Sequence, residues 1–219
     1  MCRFLLAKSS GLFQPSTLLY PFTKMAKNSK TYEGDRQKDG WGTSWIDSHN
    51  MFRVHKSLNP VWKDHSVFKS FNSTNMLSIH ARSTSFQKDK GVISFNQPYI
   101  SSSFSFVFNG LLKKVSLSVP GKIGAEKIWN LFKQIQKNCE PANTLKILRN
   151  KLISSSKEIQ ALNIGLCTNK NIYALCYFTK HPIYYQLHYI NTPTIKIISS
   201  EPIEGYEFKS VQSGTILSL

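Results

Sequence analysis

The sequence predicts an α+β layered domain, and three observations point there. Short β-prone runs fill the middle of the chain, two apolar stripes at helical spacing follow, and further alternating runs close it. Strands enclosing a helical pair bury their apolar faces by stacking helices on sheets. At 219 residues and 41% hydrophobic content one large core can be filled but two full domains would be cramped, so residues 1–219 are expected to form a single domain.

The elements follow in order. Residues 24–38 exchange apolar side chains for Lys, Asn, Ser, Gly and Asp and read as a loop. In Asp39-Gly40-Trp41-Gly42 two glycines allow a close backbone approach, and the β-prone residues after them predict a strand paired with residues 51–55. Strands are expected at 75–81, 104–112 and 114–118, the last two flanking Asn109-Gly110. Ile128, Phe132 and Ile135, then Leu145, Leu148 and Leu152, predict two helices separated at Pro141. After a Ser154-Ser155-Ser156 linker, 161–168 and 172–179 read as a hairpin around Asn169-Lys170-Asn171, with more strands at 184–190, 194–200 and 215–219. The two ends of the chain are expected to meet in shared sheets.

Composition narrows the partners. The 28 Lys and Arg against 12 Asp and Glu give a formal charge of +16, which would attract nucleic acid, anionic lipid or an acidic protein. The basic residues run from Lys8 to Lys209 without gathering, so a solvated basic surface is favoured over a nucleic-acid site. The opening apolar run is too short for a signal peptide, and no stretch approaches the roughly 18 apolar residues of a membrane span; a cytoplasmic protein without membrane contact is expected. Cys2, Cys139, Cys167 and Cys176 form no C-x-x-C pair and have no zinc-type His spacing, so no metal and no cofactor is expected. Cys139, Cys167 and Cys176 read as inert free thiols in apolar or helical settings.

Cys2 stands apart. Methionine aminopeptidase removes Met1 when the next side chain is small, which leaves a thiol and a free α-amine on one residue. With an unperturbed pKa of about 7.7–8.0, that amine can take the thiol proton at neutral pH, directly or through one water.

Four segments in order, Cys2-Arg3-Phe4-Leu5, Asp39-Gly40-Trp41-Gly42, His80-Ala81-Arg82-Ser83-Thr84-Ser85 and Phe106-Val107-Phe108-Asn109-Gly110, resemble the class II glutamine amidotransferases. Asn96-Gln97-Pro98-Tyr99 resembles that family's Asn-x-His-Pro-Phe stretch. Ser200-Glu201-Pro202 and Gly214-Thr215-Ile216-Leu217 resemble the closing strands of its stand-alone members, those related to the ergothioneine-pathway amidohydrolase and to the amidotransferase-like subunit of a glutathione-degrading complex. The resemblance implies the N-terminal-nucleophile hydrolase fold, a four-layer αββα sandwich with two stacked antiparallel sheets. It also implies a small-molecule amide substrate attacked by Cys2 through a thioester, with Asn109 and Gly110 as oxyanion donors. Arg82 and Ser85 would hold the substrate carboxylate, and Asp39, Gly40 and Trp41 would form the wall beside the nucleophile.

Each assignment has a plainer alternative: a type I′ hairpin turn at Asn109-Gly110, a surface arginine at 82, a tightly packed strand at 39–42. Where glutamine-using members of the family read Gly-x-Thr-Asp-Ser-Glu, this chain reads Gly121-Lys122-Ile123-Gly124-Ala125-Glu126. Gly124 thus stands where an Asp would meet the substrate α-ammonium, so ordinary glutamine is expected to bind weakly. Glu126 is expected to be a helix-start acid. Three functions remain open: an amidase for an amide whose amino group is blocked or absent, a glutaminase passing ammonia to a synthase on another chain, or a non-catalytic basic protein binding nucleic acid or an acidic partner.

Overall fold

The computed structural model describes residues 2–84, 86–137 and 139–219. Strand β1 (Arg3–Phe13) leads to helix α1 (Ser16–Asn28), strands β2 (Trp41–Ile46), β3 (Phe52–Ser57), β4 (Thr74–Ala81) and β5 (Tyr99–Ile100), and the long strand β6 (Ser105–Val115). Helices α2 (Gly124–Gln136) and α3 (Pro141–Ser155) follow, then β7 (Ser156–Cys167), β8 (Ile172–Leu175), a single helical turn α4 (Pro182–Tyr185), β9 (His188–Asn191), β10 (Ile195–Ser199), β11 (Lys209–Ser210) and β12 (Ile216–Ser218). One sheet has the order β11-β9-β10-β1-β4-β2-β3 and the other β12-β8-β7-β6-β5, and every strand pair is antiparallel.

Alternation along β1 and β6 explains the layering. Leu5 and Ala7 join α1 in one core, while Phe4 and Leu6 turn the other way and meet Val107 between the sheets. Phe106 and Phe108 face α2 and α3 with Trp129, Phe132 and Leu148. Three apolar layers therefore separate α1, two sheets and the α2–α3 pair, which is the expected αββα sandwich. Each fully buried Phe or Leu contributes about 1.5–3 kcal/mol to holding those layers together. The ends of the chain meet as expected: β1 lies between β10 and β4, pairing Leu5 with Ser199 and Phe4 with His80.

Some local expectations are corrected. The segment that reads as a loop from residue 24 begins inside α1, because Leu18, Leu19, Phe22, Met25 and Ala26 bury one helical face despite Pro21 within the helix. Asn109-Gly110 is not a hairpin turn: both residues lie inside the unbroken β6, paired with Asn163 and Leu162 of β7. The serine linker is absent, since α3 ends at Ser155 and β7 starts at Ser156. The strand expected at 184–190 starts only at His188, because Tyr184 and Tyr185 belong to the helical turn α4 and pack into a small cluster with Ala161. Cys139 is half-buried beyond the end of α2, outside the apolar cores, whereas Cys167 and Cys176 are core thiols. Burial pushes the Cys176 thiol up to about 11 and Cys167 higher still, so both stay protonated.

Candidate active site

Period-two alternation turns Cys2 to the same side as Phe4 and Leu6, toward the facing sheet. Asn109, two residues past Val107, reaches across from the facing strand by the same rule. The Cys2 backbone nitrogen donates to Asn109 Oδ1 at 3.1 Å, and the Cys2 thiol lies 3.8 Å from the Ser83 carbonyl oxygen, to which it donates. The other end of the Asn109 amide is unusual: Nδ2 is buried and has no hydrogen-bond partner among the described residues. Such an orphan costs about 1–3 kcal/mol, so its retention in a folded protein calls for a purpose.

Gly110 supplies a second donor by backbone geometry. Phe108 N–H donates to Gln97 Oε1 at 2.5 Å and Phe108 O accepts from Gln97 Nε2 at 3.3 Å, so both Phe108 backbone groups point away from β7. Two residues on, the Gly110 N–H points the same way. There β6 has no strand beside it, because β5 pairs only with Ser105 and Phe106. Gly110 N–H is thus turned away from β7, next to the Asn109 side chain whose Oδ1 holds the Cys2 nitrogen.

Cys2, Arg82, Ser83, Asn109, Gly110 and Gly124 all line one cavity of about 1000 Å³. Arg82 is only 5% exposed, yet no carboxylate pairs with it among the described residues. Its Nη2 donates to the Asp89 carbonyl at 2.9 Å and to Thr84 Oγ1 at 3.3 Å, and Nη1 to Asn96 Oδ1 at 3.4 Å, contacts that hold the guanidinium flat while its charge remains unmatched. Asp39 positions that loop rather than lining the cavity: its Oδ2 accepts from Thr84 N–H at 2.8 Å and its own N–H donates to the Arg82 carbonyl at 3.0 Å.

Gly40 and Gly42 also stand behind the cavity. A Cβ on Gly40, whose φ is +108°, would fall 2.2 Å from Asn96 Nδ2, and one on Gly42 would fall 2.4 Å from the Gln97 carbonyl oxygen. The glycines therefore admit the 96–97 segment across β2, which joins two of the sequence motifs physically. Trp41 does not wall the cavity: it is fully buried against Phe68 and Phe71, and its Nε1 donates to Asp64 Oδ2 at 2.8 Å. Ser85 lies outside the described residues, as does Met1. At Gly124 a Cβ would meet nothing within 4 Å. Glu126 turns back to the chain, accepting the Lys122 N–H at 2.6 Å just before α2.

Five residues that sequence reasoning gave no role complete the setting. Tyr184 Oη donates to the Cys2 carbonyl at 3.2 Å. Arg3 is buried, donates through Nε to Ser29 Oγ at 2.7 Å and through Nη1 to the Tyr184 carbonyl at 2.7 Å, stacks over the Tyr184 ring at 3.6 Å, and forms an ion pair with Glu201. Ser29 Oγ in turn donates to Glu201 Oε1 at 2.5 Å. The residue after Cys2 is thereby fixed on several sides. Burial, with smaller contributions from the Arg82 and Lys56 charges, pushes His80 down to about 3, so it sits neutral beneath the site. Among the described residues no group of three His, Cys, Asp or Glu could hold a metal ion, and no helix is long and apolar enough to cross a membrane.

No family model and no curated protein matches the sequence. Solved structures do match in shape. A glutamine aminotransferase class-II domain protein from Silicibacter pomeroyi superposes with a TM-score of 0.68 at 13% identity, over 99% of this chain and 94% of that one. The glutamine phosphoribosylpyrophosphate amidotransferase from B. subtilis, complexed with ADP and GMP, gives 0.68 at 12% identity over the whole of this chain. This chain spans about half the length of that enzyme, 47%. A predicted glutamine amidotransferase from Pseudomonas aeruginosa gives 0.50 at 15% identity, over 100% of this chain and 93% of that one. With its two antiparallel sheets stacked between helical layers, the chain has the fold of the class II glutamine amidotransferase domains, the N-terminal-nucleophile hydrolase sandwich.

Proposed function

We propose that this chain hydrolyses a side-chain amide through a thioester on Cys2. The observation that carries this reading is the Asn109 amide, aligned by its oxygen on the Cys2 nitrogen while its buried Nδ2 has no partner among the described residues. An amide held this way is a preorganised donor waiting for negative charge.

In the processed chain the α-amine of Cys2 accepts the thiol proton, and the sulfur attacks the amide carbonyl carbon. The carbonyl oxygen takes up negative charge against Asn109 Nδ2 and Gly110 N–H. As the C–N bond breaks, the same α-amine returns the proton to the leaving ammonia. Water then adds to the thioester, the C–S bond breaks, and the products are a carboxylic acid and the regenerated thiol. Arg82, buried and unmatched in charge, is suited to a carboxylate elsewhere on the substrate. Gly124 offers no counter-charge to a free α-ammonium, which favours an amide whose amino group is blocked or absent.

The test begins with mass spectrometry of the N-terminus and treatment of the processed protein with diazo-oxo-norleucine, a glutamine-like electrophile. Stoichiometric labelling of Cys2, ammonia release from amide substrates and loss of both in Cys2→Ala are expected. A processed but unreactive Cys2 would overturn the proposal. Release of ammonia only when a second chain is added would assign the protein to a synthase complex instead of a free amidase.

A further inference from the structure

The cavity continues well past the reacting centre, and its chemistry changes as it does. At about 1000 Å³ it stands at the upper end of the roughly 300–1,000 Å³ range of small-molecule sites. Beyond Gly110 it passes between β6 and α2. Gly124, Ile128 and Leu131 lie at i, i+4 and i+7 on one face of α2, and with Leu112, Leu117 and Leu152 they line this inner part. The exposed side chains of Lys113 and Lys114 on β6, Lys122 just before α2 and Lys127 within it also border this part, above the apolar residues, and the only carboxylates on the cavity wall among the described residues, Glu33 and Asp89, belong to neither β6 nor α2. A substrate whose carboxylate meets Arg82 and whose amide meets Cys2 thus directs its third substituent past Gly124 toward an apolar face.

The geometry points to an ω-amide amino acid carrying an apolar acyl group on its α-nitrogen, with the acyl chain seated in the chamber between β6 and α2. This inference rests on the amidase reading for its chemistry and extends it to the substrate class. Acylation removes the ammonium charge that Gly124 leaves unpaired, and the chain gains an apolar surface that free glutamine cannot use. The reaction itself is unchanged: the ω C–N bond breaks, water enters, ammonia leaves, and the acyl-nitrogen bond stays intact.

Two measurements test it together. The first is kcat/KM for ammonia release from glutamine and its Nα-acetyl, Nα-hexanoyl and Nα-octanoyl derivatives by the processed enzyme. The second is calorimetric binding of the same series to Cys2→Ala. Both are expected to rise with chain length, by about threefold to fourfold per buried methylene. Leu117→Asp should flatten the series. Gly124→Asp, which meets no atom within 4 Å and so keeps the fold, should reverse the order in favour of glutamine. Turnover that is flat with length, or best for glutamine, overturns the inference and leaves the amidase standing. Length-dependent binding to Cys2→Ala without turnover of any member by the processed enzyme supports the chamber and overturns the amidase. Flat binding overturns the chamber whatever the turnover.

Discussion

Replacing Asn109 by Leu separates a catalytic amide from a structural one. The substitution keeps the approximate shape but removes the acceptor for the Cys2 nitrogen, at 3.1 Å, and the buried, unpartnered Nδ2. Losing the hydrogen bond costs about 0.5–1.5 kcal/mol, while removing an orphan donor returns about 1–3 kcal/mol. The net change therefore runs from about −0.5 to about +2.5 kcal/mol, centred on about 1 kcal/mol in favour of the variant, a rise in Tm of about 2–4 °C for a chain of this size. Turnover should move oppositely, falling about a hundredfold to a thousandfold in kcat with the loss of an oxyanion donor. Calorimetric melts, steady-state ammonia release and the rate of Cys2 alkylation by iodoacetamide read the three consequences. Alkylation develops no oxyanion, so its rate should change little. A drop in Tm of more than about 2 °C accompanying the loss of activity would refute the reasoning, because the amide would then be holding the fold together.

Other outcomes follow from the same geometry. Gly40→Ala should cost about 2–5 kcal/mol in denaturant unfolding, since its Cβ would meet Asn96 Nδ2 at 2.2 Å on a backbone with φ of +108°; an unchanged midpoint would contradict it. Arg82→Gln should raise KM by about tenfold to a hundredfold with kcat within a few-fold, the signature of a lost charged contact to substrate, and an unmoved KM would remove Arg82 from the binding role. Stability should fall on acidification below about pH 6.5, because the unfolded chain protonates His80 while the folded chain holds it down to about 3. This one residue contributes about 2 kcal/mol of loss by pH 5. His55 and His188, lowered mainly by burial, act in the same direction, so the check is the smaller pH 7-to-5 difference expected of His80→Gln relative to the parent.

The candidate site was legible through the order of its motifs: Cys2 alone is a weak signal and Arg82 alone reads equally as a surface arginine, but the segments that resemble the class II glutamine amidotransferases single out both, and the two side chains line one cavity. The helical stripes of α2 and α3 were equally plain, because periodicity is a local signal. α1 was hidden by Pro21, and Asn109-Gly110 is a dipeptide that favours a hairpin turn until β7 claims it as strand. Trp41 sits in the motif next to the glycines, yet its side chain serves the core behind β2. Gln97, Tyr184 and Glu201 went without roles because each acts through long-range contacts, Tyr184 on a residue 182 positions away. Nothing in a local pattern encodes a partner at that distance.

That distance has a consequence for how the protein comes into being. Cys2 is made 182 residues before Tyr184, and Glu201 and the strand β10 that flanks β1 come later still. A partly synthesised chain therefore carries an idle thiol, with neither its carbonyl nor its neighbouring arginine anchored. Under the proposed function Cys2 would gain its setting only when the later segment folds back over the earlier one, so a chain truncated before residue 201 should resist labelling by diazo-oxo-norleucine.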